Sequence, residues 1–261
     1  MRKPVVIGNW KLNGSLADNK TRLQEMVKAL CYQRNIDIGI CLPYPYLFQA
    51  QQLLANTTIM WGAQNVSQFT QGAYTACVSA EMLADFGCKI VIIGHSERRL
   101  YSAENSQKAV IRIKRAIDMG ITPIYCIGES QQEHEAGLTK QVIADQLQAL
   151  FERGDVSFEK TKMNGLIIAY EPVWAIGKDQ PATPNQVQNM HAFIRDYIAQ
   201  YDQSFAENTR IIYGGSLTPD NASAIVTMPD IDGGLVGRAS LNATSFAAIC
   251  SMVAKAIVAS S

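Results

Sequence analysis

Short apolar runs rich in β-branched residues recur along the chain, and eight of them stand out, at residues 5–10, 37–42, 58–63, 90–94, 122–127, 166–170, 210–213 and 234–236. They are continuously apolar rather than alternating, the pattern of parallel strands covered on both faces. Between them, apolar residues recur at helical spacing: Leu16, Leu23, Val27 and Leu30; Val110, Ile113 and Ile117; Leu138, Val142, Leu147 and Leu150; Val187, Met190, Ile194 and Tyr197; Phe246, Ile249, Val253 and Ile257. Each stripe is expected to face a sheet. Thr183-Pro184 and Thr218-Pro219 read as helix starts, where the hydroxyl caps orphan N–H groups and proline fixes the first helical φ. Gly120 and Gly154 read as stops. Less regular patches at 46–54, 80–86 and 220–226 fill the remaining slots. Eight strands alternating with helices predict an α/β chain, a (β/α)8 barrel of parallel strands, with a doubly wound sheet as the alternative. Residues 1–261 show no linker, low-complexity tract or break in composition, so one domain is expected.

The composition narrows the classes. With 48% hydrophobic and 18% charged residues over 261 positions, the chain can bury a large core and is neither disordered nor fibrous. Lys and Arg total 23 and so do Asp and Glu, so no global field attracts nucleic acid or anionic lipid, and any anion site must be local. Apolar runs such as 90–94 and 165–170 fall far short of the roughly 20 residues a membrane span needs. The first residues hold only Val5, Val6 and Ile7 as an apolar block, too short for a secretion signal, so a cytoplasmic location is expected. Cys31, Cys41, Cys77, Cys88, Cys126 and Cys250 lack metal-ligand or disulfide spacing and read as reduced, mostly buried thiols.

In a parallel barrel the ligand sits at the carboxyl ends of the strands, which makes the residues just past each run informative. These are Asn9 and Lys11; His95, Ser96 and Glu97; Glu171 and Pro172; Gly214, Gly215 and Ser216; Gly237 and Arg238. Each alone has an ordinary reading: a solvated lysine, a satisfied histidine near a helix start, a carboxylate beginning a helix, a glycine turn. Their convergence on one end argues for an active site that transfers a proton and binds an anion. His134 and His191 fall on expected helices and read as solvated. An imine-forming aldolase would need a lysine inside a strand, and the runs offer only Lys89 at an edge. A metal-dependent enzyme would need a ligand set that three histidines hardly supply.

Five strings carry a resemblance: Asn9-Trp10-Lys11-Leu12-Asn13-Gly14, Ile93-Gly94-His95-Ser96-Glu97-Arg98-Arg99, Cys126-Ile127-Gly128-Glu129, Ala169-Tyr170-Glu171-Pro172-Val173-Trp174-Ala175-Ile176-Gly177 and Tyr213-Gly214-Gly215-Ser216. They resemble, in order and spacing from residue 9 to about 241, the motifs of the triosephosphate isomerase family. The resemblance implies a TIM barrel that interconverts dihydroxyacetone phosphate and glyceraldehyde 3-phosphate through an enediolate. It implies Glu171 as the base, His95 as a donor to the developing oxyanion, Lys11 as a fixed positive charge, Asn9 as a second donor and Glu97 beside them in the catalytic set. Substrate binding falls to Asn9, Lys11 and the main-chain N–H groups of Gly177, Ser216, Gly237 and Arg238. No metal or organic cofactor is expected, because the substrate carbonyl is the electron sink. Residues 172–182 look like the family's lid, and the loop from Gln64 to Ser79 like the arm that enters a partner in a homodimer.

Several positions depart from that pattern. The lid ends in Lys178-Asp179-Gln180-Pro181-Ala182, and Pro181 fixes φ where a mobile hinge is usual. Ala76 and Cys77 stand where glycine and glutamate are usual, Ser102 where phenylalanine is, and Arg238 where glycine is. Arg238 is expected to point away from the anion. Two alternatives stay open at this level: another barrel acting on a phosphorylated sugar, and a barrel retained as an interaction module.

Overall fold

The structure is a computed structural model that describes residues 2–152, 165–177 and 181–260. Eight parallel strands close on themselves: β1 Val5–Asn9, β2 Asp37–Leu42, β3 Ile59–Ala63, β4 Ile90–Ile93, β5 Thr122–Ile127, β6 Ile167–Tyr170, β7 Arg210–Tyr213 and β8 Gly233–Val236. Val5 pairs with Asp37 on one side and Gly233 on the other, so β1 seals the barrel against β8 and no edge remains. A doubly wound sheet, which keeps two edges, is thereby excluded.

The strands are apolar throughout because both faces are buried. Val5, Ile7, Cys41, Ile90, Ile92, Ile124, Cys126, Ile167, Ala169, Ile212 and Leu235 fill the barrel interior. The alternate positions, such as Val6, Val91, Tyr125, Ile168 and Ile211, pack outward with the helices. The inward alternation 5, 7, 9 and 167, 169, 171 carries Asn9 and Glu171 to the mouth, as the period of two requires. The cysteines are free, with Cys41, Cys88, Cys126 and Cys250 buried, Cys31 partly covered and Cys77 exposed.

Helices fill the crossovers: α1 Leu16–Leu30, α2 Leu47–Leu54, α3 Ala80–Asp85, α4 Ser96–Tyr101, α5 Ser106–Asp118, α6 Gln131–Glu135, α7 Thr139–Phe151, α8 Pro184–Ala199, α9 Gln203–Asn208, α10 Pro219–Val226 and α11 Ala243–Ser260. None among the described residues is long and apolar enough to cross a membrane. Thr183 caps α8 and Thr218 caps α10, each with a reciprocal bond to the third helical residue. After α5, Gly120 takes φ +69° while the Ile121 N–H closes on the Ala116 carbonyl, a left-handed stop. Gly154 lies outside the described residues.

Three helix faces differ from the expected stripes. In α1 the buried set is Asn19, Leu23, Met26 and Leu30, while Leu16, the residue right after the Ser15 cap, is 63% exposed. In α7 it is Ile143, Leu147 and Leu150, and Leu138 stays outside as the cap residue, exposed. In α8 it is Val187, His191, Ile194 and Ile198, which overturns the solvated reading of His191. That imidazole packs at Nδ1 3.2 Å from the Asp230 carbonyl, and burial pulls its pKa down to about 4, so it sits in the wall uncharged.

Candidate active site

β1 ends at Asn9, whose Oδ1 accepts the Lys11 N–H at 3.0 Å and helps hold Lys11 at φ +50°. From β3, Gln64 Nε2 donates to the Lys11 carbonyl at 2.9 Å and to the Cys41 carbonyl at 3.1 Å. These bonds aim the Lys11 ammonium across the mouth, where it pairs with Glu97 Oε1 at 2.5 Å.

His95 follows β4 and caps α4, its Nδ1 accepting the Glu97 N–H at 3.2 Å. An acceptor nitrogen carries no proton, so Nε2 holds the hydrogen in the neutral ring. Nε2 lies 3.0 Å from Glu171 Oε1, and the Ser96 N–H donates to Glu171 Oε2 at 2.9 Å. Glu171 is 2% exposed. Burial alone would push its carboxyl up, but His95, the Ser96 N–H and Lys11 outweigh it and hold Glu171 below the usual carboxylate range, ionised. Burial pulls His95 down, and the Glu171 and Glu97 carboxylates more than reverse that, so its pKa lies above the ordinary imidazole value. The positive end of α4, which by itself favours the neutral ring, therefore acts against two carboxylates.

The backbone closes tightly around the base. A Cβ on Gly128 would lie 1.9 Å from the Glu171 carbonyl oxygen, and one on Gly214 would lie 2.8 Å from Glu171 Cγ. Only glycine admits this approach of β5, β6 and β7. Arg99 ties the ends of β4 and β5 together, bonding the Gly94 carbonyl at 2.8 Å and the Cys126 carbonyl at 3.2 Å. The buried Glu104 accepts the Gly94 N–H at 3.1 Å and pairs with Arg98 at 2.7 Å and Arg112 at 2.5 Å. Arg98 thus has a carboxylate partner within its own chain.

The segment after β6, expected to form a lid, begins with a 3₁₀ turn, Val173–Ala175. Its Val173 N–H bonds the Glu129 carbonyl at 3.2 Å, and the Trp174 indole donates to Glu129 Oε1 at 2.7 Å. Gly177 gives its N–H to Ser216 Oγ at 3.2 Å, and Ser216 in turn donates to the Ala175 carbonyl at 3.2 Å. The Gly177 N–H expected on the phosphate is therefore engaged with loop seven in this arrangement. Lys178, Asp179 and Gln180 lie outside the described residues.

On the opposite rim a 3₁₀ turn, Arg238–Leu241, starts just after β8, and a Cβ on Gly237 would stand 3.7 Å from Lys11 Cε. The first N–H groups of a helical turn have no partner within it and suit an anion, and this start lies beside the Lys11 side chain. The Arg238 side chain is exposed, forms no ion pair among the described residues, and its φ is not left-handed.

A cleft of about 280 Å³ opens beside these groups, lined by Asn9, Lys11, His95 and Glu97 and extending to Gln64 and Arg98. Sequence reading had no role for Gln64, Glu104 or Glu129. Glu129 stood inside one of the resembling strings, whereas Gln64 acts through Lys11 and Cys41, far along the chain, and Glu104 through Gly94, Arg98 and Arg112 within its own crossover. Among the described residues no strand carries a lysine, and Lys89 is exposed just before β4, so an imine-forming strand lysine is absent there. No group of three His, Cys, Asp or Glu side chains among them could hold a metal ion.

An ionised, buried carboxylate against an imidazole, at the carboxyl end of a closed parallel barrel with an ammonium and a helical N-terminus opposite, defines a (β/α)8 enzyme of the aldose–ketose isomerase class. The family model for triosephosphate isomerase matches residues 4–253. The triosephosphate isomerase of Nitrosomonas europaea is 47% identical over 249 residues, 95% of this chain and 97% of its own. That of Ralstonia nicotianae is 48% identical over 248 residues, 95% and 98% of the two chains. That of Thiobacillus denitrificans is 47% identical over 255 residues, 98% of this chain and all of its own. The chain belongs to the triosephosphate isomerase family.

Proposed function

We propose that this chain interconverts dihydroxyacetone phosphate and D-glyceraldehyde 3-phosphate, the aldose–ketose isomerisation of glycolysis and gluconeogenesis. The observation that carries this reading is the Glu171 carboxylate held ionised 3.0 Å from His95 Nε2 at the barrel mouth. A C–H next to a carbonyl is weakly acidic, and its proton leaves only if the electron pair can enter a stabilised oxyanion. Glu171 turns from Ser96 and His95 to the substrate carbon and takes the proton. The pair moves into the C–C bond as the carbonyl π electrons shift to oxygen, and His95 Nε2–H, Lys11 and Asn9 meet the charge that develops there. Glu171 then returns the proton to the neighbouring carbon, while His95 Nε2 gives its proton to the new alkoxide oxygen and takes the hydroxyl proton from the other oxygen, which becomes the new carbonyl. Glu97 holds the Lys11 ammonium at the mouth until the ligand arrives.

The phosphate is the remote handle whose binding energy keeps the reacting carbons in place. Lys11 and the main-chain N–H groups of Gly237, Arg238 and Ser216 form its cradle, and the Gly177–Ser216 bond holds the start of the lid beside it. Closure of residues 172–182 excludes water from the enediolate, a lid for which this family is the standard illustration. A coupled assay with glyceraldehyde 3-phosphate tests the reading directly. Turnover without added metal or cofactor is expected, and inactive, well-folded protein would overturn it.

The working assembly is a homodimer in the cytoplasm. Residues 70–77 of the long loop are all exposed, and the Phe69 and Tyr74 rings stack at 3.6 Å to stiffen it. Leu16, Phe48, Met82 and Phe86 are exposed as well, a large apolar outlay for a free surface. The cleft at the mouth, open toward Gln64 and Arg98, is the place for a partner's loop. Free thiols, the exposed Cys77 among them, suit the reducing cytoplasm.

A further inference from the structure

His134, on α6, is used by no step of the isomerisation, yet it touches the lid's anchor. Its ring stacks on Trp174 with centroids 4.2 Å apart and planes inclined by 16°. Its Nδ1 lies 3.3 Å from Thr139 Oγ1 and 3.5 Å from Glu129 Oε1. The two partners differ in surroundings: the Glu129 side chain has no exposure, while that of His134 is 39% exposed and can exchange a proton with solvent.

Among the described residues, Glu129 is a buried carboxylate served by neutral donors. Oε1 accepts Trp174 Nε1 at 2.7 Å, the Tyr170 hydroxyl at 3.1 Å and Thr139 Oγ1 at 3.4 Å, whereas Oε2 has no hydrogen-bond partner. Burial and Glu129 itself push Tyr170 well above the usual phenol range, so it stays a donor. The charged groups around His134 are few. The loop after β5 brings Glu129, and the Val173–Ala175 turn brings none. From α7, Lys140 lies with Nζ over the Phe193 ring at 5.3 Å. On α6 itself, Glu133 accepts the Ser130 N–H at 2.7 Å and Glu135 accepts from Gln131 Nε2 at 2.9 Å. Among the described residues, His134 is thus the side chain placed to bring a positive charge to both the Glu129 carboxylate and the Trp174 indole face.

We propose that His134 is a positioning residue for the lid: in its charged form it bridges the Glu129 carboxylate and the Trp174 indole and strengthens the docked arrangement, so that ligand retention tightens as pH falls. Oε2 has no hydrogen-bond partner among the described residues, so an added N⁺–H need not displace the indole from Oε1. A cation on an indole face gains further attraction. An imidazole ordinarily changes charge between about pH 5 and 8.

The inference rests on the isomerase reading and is tested separately from it. Affinity for glycerol 3-phosphate, which carries the phosphate but no carbonyl, is measured by calorimetry at pH 8 and pH 5.8 for the wild type, His134→Gln and His134→Arg. Wild-type-to-variant ratios cancel the titrations of His95 and of the phosphate, which all three proteins share. The wild-type advantage over His134→Gln is expected to be under about twofold at pH 8 and about three- to tenfold at pH 5.8. His134→Arg, with a permanent charge, should hold the tight affinity at both values. A purely structural role would give a flat ratio, and a flat ratio, or a failure of His134→Arg to hold affinity at pH 8, overturns the proposal. Should His134→Gln not fold, His134→Phe keeps the stack without the charge and is read the same way. Absence of turnover and of binding in the wild type would sink the isomerase reading, whereas turnover with a flat ratio sinks this inference alone.

Discussion

Glu171 rests where two donors hold it, and that position explains why a strong base is not also a permanently exposed one. Its ionisation is secured by His95 and Ser96, and it must leave both to reach a C–H bond. Glu171→Asp withdraws the carboxylate by one methylene, a misplacement of roughly 1 Å, and is expected to lower kcat on the order of 10² with a much smaller change in KM. His95→Gln should also lose kcat, because its donor is needed at the developing oxyanion; steady-state kinetics showing only a raised KM would make His95 a binding residue. Arg238 gives the opposite expectation. Its side chain is exposed at the rim, so Arg238→Gly should change KM by less than about threefold, under about 0.7 kcal/mol. A tenfold rise, matched by weaker binding of glycerol 3-phosphate, would put the guanidinium on the ligand.

At the scale of elements, the short α4 does two tasks, presenting His95 at its start and carrying Arg98 to Glu104 beyond its end. Burial pushes the Glu104 carboxyl up, and Arg112 and Arg98 outweigh it, leaving the pKa below the usual range. A depressed carboxyl contributes stability that is present above its unfolded value, about 4.3, and is lost as pH falls through the folded one. Thermal melts should therefore show the wild type weakening below about pH 4.3. Glu104→Gln leaves two guanidinium groups uncompensated against a buried amide, with an expected loss of about 3 kcal/mol at pH 7 and a shallower acid slope. Equal stability of the two proteins at pH 7 would show that the triad contributes nothing. Ala76 at φ +70° and Ala103 at φ +49° place a Cβ in left-handed backbone, so these two connections carry strain of roughly 1–2 kcal/mol each.

For the molecule as a whole, the barrel supplies rigidity and the loops supply chemistry, and assembly is the remaining question. Light scattering at micromolar concentration should return the mass of a homodimer. The argument is the exposed apolar outlay of Leu16, Phe48, Tyr74, Met82 and Phe86, not any single ion pair, since Glu104 already serves Arg98. A fully active monomer would overturn both the loop's role and the reading of these exposed side chains.

The strand runs and the residues that end them were legible in the sequence because both follow local rules. Burial on two faces forces continuous apolarity, and the period of two sends Asn9 and Glu171 inward once the strand is placed. The capping threonines before Pro184 and Pro219 were legible for the same local reason. What the sequence left open depended on partners far along the chain. His191 read as solvated because its stripe position has meaning only against Asp230, and Leu16 read as buried because no periodicity shows where the barrel wall stops. The resting bond of Glu171 to Ser96 and the stacking of His134 on Trp174 join residues of different loops that only the barrel brings together, and the Arg98–Glu104–Arg112 triad depends on how α4 and α5 fold against each other. Sequence determined which chemistry stands at the mouth, through residue type and strand register. Tertiary structure decided the charge states and resting contacts of those groups, because desolvation and Coulomb attraction depend on distances through space that no spacing along the chain records.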